Sequence, residues 1–252
     1  VAEMSEGKFK NFSMNEDERY ELYIAAWLHD CGKVATPPHV VDKSTKLETI
    51  FDRIELIRTR MELLKRDAEI AFLKRQLNGR KSVSFDKKYR DTILQIEENM
   101  SFLEGCNVGG EFMKQDLQDR VKSIGEQQVN IYGKKQNFLT DEELKNLNIP
   151  KGTLLPEERE IINDHIVITI EMLEQLPYPK HLKNVPEFAG GHHEKMDGTG
   201  YPKGLKAKEM STQAKLMAIA DIYEALTAAD RPYKDGKKLS TAMRIMGFMK
   251  ND

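Results

Sequence analysis

The 252-residue chain is long enough to bury a sizeable core, as one large domain or two small ones. Its 39 Lys and Arg against 41 Asp and Glu leave a net charge of -2, which excludes broad electrostatic attraction to DNA or an acidic membrane as the basis of its function. The two cysteines, Cys31 and Cys106, form no metal or disulfide spacing and suit a reducing compartment.

Asn15 followed by Glu16, Asp17 and Glu18 predicts a capped helix start. The run from Tyr20 to Leu28 is apolar on nearly every side, which predicts a buried helix. It ends in His29-Asp30-Cys31-Gly32-Lys33, so charged groups emerge from an apolar helix and need a partner or a metal. Pro37 and Pro38 mark a loop, in which His39 reads as a surface residue and Lys43 could face a cleft.

Between residues 45 and 130 the pattern changes. Leu47, Ile50, Ile54, Ile57, Met61, Leu64, Ala68 and Ala71 step by three and four, as a heptad seam does. Asn78-Gly79 breaks it, and a second seam follows at Tyr89, Ile93, Ile96, Met100 and Leu103. After Gly105 and Gly109-Gly110 a third helix begins with Phe112, Met113, Leu117, Val121 and Ile124. The expectation is a long helical hairpin inserted at 45–130, suited to packing, homodimerisation or signal relay. The seam could close within one chain or between two.

Thr140 with Glu143 predicts a capping box, and Pro156-Glu157-Glu158 opens a helix. On that helix Ile161, Ile162, His165, Ile168, Thr169 and Met172 share a face, which predicts a buried His165. Pro177 and Pro179 close it. Next comes the stretch from Gly190 to Pro202, where His192 and His193 adjoin Glu194 and Asp197, with glycines at 190, 191, 198 and 200. Imidazoles and carboxylates in a tight loop suit a divalent metal. A last helix begins at Ser211 and carries Asp221 among apolar residues, where a carboxylate must meet a cation. Arg231 and Lys234 then place two cationic side chains three apart, as phosphate binding requires.

His29-Asp30-Cys31-Gly32-Lys33, His192-His193-Glu194 with Asp197-Gly198-Thr199-Gly200-Tyr201-Pro202, and Ala220-Asp221 leading to Asp230-Arg231-Pro232-Tyr233 occur in a fixed order. In this the chain resembles the HD-GYP family of metal-dependent cyclic dinucleotide phosphodiesterases. The resemblance covers residues 15–45 and 155–245 and leaves the hairpin outside. It implies an all-α, HD/phosphodiesterase-like bundle. It implies His29, Asp30, His165, His192, His193 and Asp221 as ligands of two, or three, divalent ions, iron or manganese, with Asp30 bridging. Lys33 would approach the scissile phosphate, Arg231 and Lys234 would hold the other phosphate, and Gly200, Tyr201 and Pro202 would shape the substrate pocket. The implied reaction opens cyclic di-GMP to pGpG and onward to GMP; cyclic GMP-AMP is an alternative substrate, and a silent cyclic-dinucleotide receptor an alternative role. The resemblance implies a diguanylate cyclase with its GGDEF domain as a protein partner, while the heptad seams suit a second copy of this chain through the hairpin. The implied setting is cytoplasmic, with a membrane anchor elsewhere in the full-length protein.

One departure stands out. The family takes a further histidine from the helix before the His-Asp pair, and none occurs between Val1 and Trp27. Val1-Ala2-Glu3 resembles the chain just after that position, so residues 1–252 read as one domain truncated at both ends. Glu3 and Glu6 are the carboxylates that could substitute.

Overall fold

The computed structural model describes residues 6–7, 9–79, 83–110, 112–131, 133–228 and 236–249. In chain order these form α1 (Glu16–Leu28), a 3-10 turn (Cys31–Ala35), α2 (Pro38–Val41), α3 (Ile54–Leu77), α4 (Val83–Asn107) and α5 (Gln115–Gly125). They continue with β1 (Gln128–Ile131), β2 (Lys134–Asn137), α6 (Asp141–Leu147), α7 (Pro156–Asn163), α8 (His165–Glu174), α9 (Val185–Gly190), α10 (Thr212–Thr227) and α11 (Leu239–Phe248). The architecture is all-α apart from one two-stranded sheet. The chain divides into two compact units, one made of residues 1–37 and 160–252, the other of 38–159.

In the first unit α8 packs on the 3-10 turn and on α9, while α1 and α10 also pack on α9. Ala25, Leu173, Val185, Phe188, Ala189 and Met217 form its core. The buried Glu21 carboxylate accepts from the Asn184 backbone N–H at 2.6 Å, tying α1 to the start of α9. The Asn15 capping box forms as the sequence predicts. The expectation of an all-round buried α1 is overturned: Tyr20, Tyr23 and Trp27 are exposed, Trp27 by 73%. Only the face carrying Glu21 and Ala25 is covered, and the three aromatics meet one another instead, with Tyr20 and Tyr23 ring centroids 6.4 Å apart.

The apolar face read for residues 161–172 also shifts. The helix is interrupted at Asp164, and the buried stripe of α8 is His165, Ile166, Thr169 and Leu173. Ile161 and Met172 are exposed. Half-buried Ile162 and buried His165, Ile166, Thr169 and Leu173 keep helical spacing across Asp164, so the face keeps its phase and is centred nearer Ile166 and Leu173 than the one read.

In the second unit α3 and α4 form an antiparallel hairpin. Arg58 pairs with Glu104, Lys65 with Glu97, and Phe72 stacks on Tyr89, in consistent register. The predicted seam closes within the chain, burying Ile54, Ile57 and Met61 against Leu103 and its neighbours. It is shorter than read: α3 starts at Ile54, Ile50 is 96% exposed, and Leu47 is buried in the preceding loop with its N–H on Asn107 Oδ1 at 2.9 Å. The third helix ends at Gly125, and Thr140 caps α6 with the predicted box. The strand pair between them was not expected. It pairs Gln128 with Asn137 through Ile131 with Lys134, and only Val129 among its residues is buried, too short a pattern to signal a strand.

Two lysines lie inside this unit. Lys43 faces no cleft; its ammonium meets the Glu158 carboxylate at 2.8 Å and Asn146 Oδ1 at 2.9 Å. Lys46 is 2% exposed and donates to the Leu147 and Ile149 carbonyls at 2.9 and 2.7 Å, beyond the end of α6 where carbonyls lack helical partners. Burial lowers its pKa. Replacing Lys46 by Met strands two buried carbonyls, each costing roughly 1–3 kcal/mol. Urea unfolding of Lys46→Met therefore shows a clearly lower midpoint; an unchanged midpoint contradicts the assigned role of Lys46 in the core.

Candidate metal centre

Three helix ends in the first unit deliver histidines to one place. His29 follows α1, His165 follows α7, and His192 follows α9. Each ring Nδ1 bonds the carbonyl three residues back, that of Ala26, Ile162 or Ala189; the Ala26 and Ala189 bonds measure 2.7 and 2.6 Å. A carbonyl only accepts, so Nδ1 carries the proton and Nε2 is turned towards the centre. The last carbonyls of a helix lack intrahelical partners, and here they orient candidate ligands, as outer partners of metal-bound histidines do.

Asp30 stands between these rings. Its Oδ1 lies 3.1 Å from His165 Nε2 and 3.9 Å from His192 Nε2, while Oδ2 lies 3.3 Å from His29 Nε2. His193 Nε2 is 3.3 Å from His165 Nε2, and Asp221 Oδ1 on α10 is 3.7 Å from His29 Nε2. The result is two ligand groups sharing one carboxylate: Asp30 with His165, His192 and His193, and Asp30 with His29 and Asp221. Within each group the ligand atoms lie within 4.8 Å of one another. Lys33, half exposed, sets its ammonium 2.6 Å from Asp30 Oδ2.

The charge states suit metal binding, which requires deprotonated donors. Burial works to raise the Asp30 carboxyl, but the His165 and His29 rings and the Lys33 ammonium hold it far below the usual carboxylate range. His29 likewise holds Asp221 low. Burial lowers His192, and burial together with the neighbouring His192 and His165 pushes His193 down to about 3. Asp221 and Asp30 raise His29 to about 10, so a proton occupies the place a cation would take. Asp30 Oδ1 and His192 Nε2 are buried and lack hydrogen-bond partners among the described residues. Such groups are costly unless something binds them, so the donor set fits a divalent cation.

Close packing holds the centre together. A Cβ on Gly32 would sit 2.0 Å from the His165 carbonyl oxygen, and the Gly32 N–H donates to the buried Thr169 Oγ1 at 2.9 Å. Tyr201 lies over the His193 ring, centroids 4.8 Å apart and planes 16° from parallel, and its N–H donates to the His193 carbonyl. The Tyr201–Pro202 peptide is cis. Gly200 passes so close to the chain that a Cβ would meet the Lys195 nitrogen at 2.2 Å.

The two carboxylates beside the histidine pair belong to neither ligand group. Glu194 is buried and accepts from the Lys203 and Leu205 N–H groups at 2.7 and 2.8 Å, pinning the loop. Asp197 is exposed and closes a turn onto the Thr199 N–H and hydroxyl. Sequence reasoning missed Glu194's role, Thr169 and the three orienting carbonyls; only the histidine-to-carbonyl spacing at helix ends hinted at the last. Arg231 and Lys234, with Asp230, Pro232 and Tyr233, lie outside the described residues, as does Glu3; Glu6 is exposed.

Four imidazoles and two carboxylates, brought together by packed helices, form a histidine–aspartate cluster of a kind that could hold metal ions. Residues 141–252, which include His165, His192, His193 and Asp221, match the family model described as HD domain. Over that stretch the chain is similar to HD domains. It is similar to a cyclic di-GMP phosphodiesterase of Thermotoga maritima, at 28% identity over 81% of this chain and 58% of the relative. It is also similar to the 3'3'-cGAMP-specific phosphodiesterase 3 of Vibrio cholerae, at 24% identity over 78% of this chain and 53% of the relative. A shorter match, 47% identical, covers 25% of this chain and 14% of the 3'3'-cGAMP-specific phosphodiesterase 1 of Vibrio cholerae. The chain thus spans about half the length of the first two.

Two variants test the geometry. Gly32→Ala drives a methyl into the His165 carbonyl and displaces the Asp30 segment; bound metal, measured by atomic emission, falls sharply, and wild-type content would refute the tight approach. Glu194→Ala removes two hydrogen bonds to an ionised acceptor, each worth about 1.5–3 kcal/mol. Thermal unfolding then shows a larger loss for Glu194→Ala than for the exposed Asp197→Ala; equal losses contradict the pinning role.

Proposed function

We propose that this chain is a metal-dependent phosphodiesterase domain that opens cyclic dinucleotides, cyclic di-GMP or cyclic GMP-AMP, to the linear dinucleotide and onward to mononucleotide. The observation that carries the reading is the Asp30 carboxylate shared by two ligand groups. His29, Asp30, His165, His192, His193 and Asp221 would hold two divalent ions, with room for a third to be set by residues outside these groups. Their mix of imidazole and carboxylate suits iron or manganese. Bound there, the ions would supply Lewis acidity towards a phosphodiester and a lowered water pKa.

The chain's own residues supply the rest. Lys33 offers a positive charge at the rim of the site, where charge grows on the phosphate oxygens during displacement. Tyr201 stacks on the His193 ring, and with Gly200 and Pro202 it would shape the substrate pocket on that side. Arg231 and Lys234 would hold the second phosphate. Water adds across one phosphorus–O3′ bond; the phosphate keeps the oxygen and the leaving O3′ takes the proton. The names of the relatives include both substrates, and the metal centre reads phosphate and not base. The same reading places the domain in the cytoplasm, with a second copy of this chain and a diguanylate cyclase as protein partners. Among the described residues no helix is long and apolar enough to cross a membrane.

A silent receptor is the second reading. It is favoured by the smaller ligand group, which has only His29, Asp30 and Asp221 from the described residues. Anaerobic assays with Mn²⁺ or Fe²⁺ on both cyclic dinucleotides separate the two, with products resolved by chromatography. A linear product is expected; intact substrate with metal and dinucleotide both bound selects the receptor. Asp30→Ala lowers both metal content and turnover by at least about a hundredfold, the upper end of what loss of an outer partner costs. Retained turnover in that variant overturns the metal assignment.

A further inference from the structure

The seam read from the sequence is used up inside the second unit, where Ile57 and Met61 are buried against α4. Another stripe is left on the outer face of α3. Leu56, Leu63, Ile70 and Leu77 recur every seven residues, and with Leu73 they are 46–87% exposed. Written as a heptad, these four are a positions; Thr59, Arg66 and Leu73 are the d positions. All seven of these residues are exposed. Five of the seven are apolar, over about 32 Å of helix at 1.5 Å per residue.

We infer that this stripe pairs α3 of one copy with α3 of a second copy, as a parallel two-stranded coiled coil. The inference rests on the partner part of the proposed function, namely self-association through the hairpin, and does not involve the reaction. A period of seven on a 3.6-residue helix matches only another helix winding around it. A lipid surface fits less well, because one edge of the stripe is acidic at Glu55, Glu62 and Glu69 and the other is mixed at Arg60, Asp67 and Lys74, where a membrane-surface helix carries Lys and Arg on both edges.

The flanking charges select the orientation. An antiparallel pair sets g positions against g positions, and here these begin Glu55, Glu62 and Glu69, all acidic. A parallel pair sets Glu69 against Lys74 of the second copy. It also places the Arg66 knob beside Asp67 of the second copy, a buried-edge polar contact of the kind that specifies register. Two like-signed pairs oppose this, Glu62 with Asp67 at the edge and Arg66 with Arg66 of the second copy across the seam, which weakens the dimer and leaves its stability to the apolar a layers. α3 is already folded and braced by α4, so pairing costs no helix-ordering entropy. The two-fold arrangement is self-complementary and closes at two copies.

Sedimentation equilibrium of the whole chain tests this, without metal or substrate, so its outcome is separate from that of the hydrolysis assay. A concentration-dependent dimer is expected. Leu63→Glu with Ile70→Glu, both solvent-facing, should weaken it by at least about tenfold with far-UV circular dichroism unchanged. Leu94→Glu, on the exposed face of α4, should leave it intact. Ile70→Cys should form a disulfide-linked dimer on mild oxidation, since a parallel in-register pair brings residue 70 opposite itself. A wild type that is monomeric at all concentrations overturns the inference. So does a dimer indifferent to the stripe or equally sensitive to Leu94→Glu, a folded Ile70→Cys dimer that does not cross-link, or a monomer that binds anionic vesicles through the stripe.

Discussion

Three backbone carbonyls at the ends of α1, α7 and α9 set the orientation of the centre. Each takes the Nδ1 proton of a histidine three residues on, and each thereby turns an Nε2 inward. The arrangement solves two problems together. A helix end has carbonyls with no partner, and a ligand ring needs its tautomer and plane fixed. Because the histidine sits beyond the helix, its position is set by where that helix packs. Asp30 is then surrounded by groups it could not approach if any helix were displaced.

Burial of this much charge would be destabilising without compensation. Asp30 is compensated through Oδ2 by Lys33 and His29, Asp221 by His29. What stays uncompensated is the inner edge, where Asp30 Oδ1 and His192 Nε2 have no hydrogen-bond partner among the described residues. A site left unsatisfied on one side only is a site built around something else, and a divalent cation answers both the charge and the geometry. The surrounding glycines serve this closeness: Gly32 lets the Asp30 turn touch α8, and Gly200 lets the Tyr201 loop fold back beneath His193.

The second unit follows a different logic. Its core is apolar, tied at one edge by buried lysines that satisfy helix-end carbonyls and a carboxylate. Among the described residues it contributes none to either ligand group. What it presents to solvent is a helical hairpin with one apolar edge on α3.

By itself, the sequence marked the candidate ligands and their order. His29-Asp30, His192-His193 and Asp221 stood out because titratable groups set against apolar helices and tight glycine turns are costly unless they bind something. Capping boxes at Asn15 and Thr140 and the break at Asn78-Gly79 were also legible, because those signals are local. Only the tertiary structure decided that His165 meets Asp30, that Glu194 pins a loop and belongs to neither ligand group, and that Lys43 is interior. It also decided that the seam read on α3 closes against α4 of the same chain. A heptad seam calls for a partner helix without saying which chain supplies it, and no local pattern encodes that.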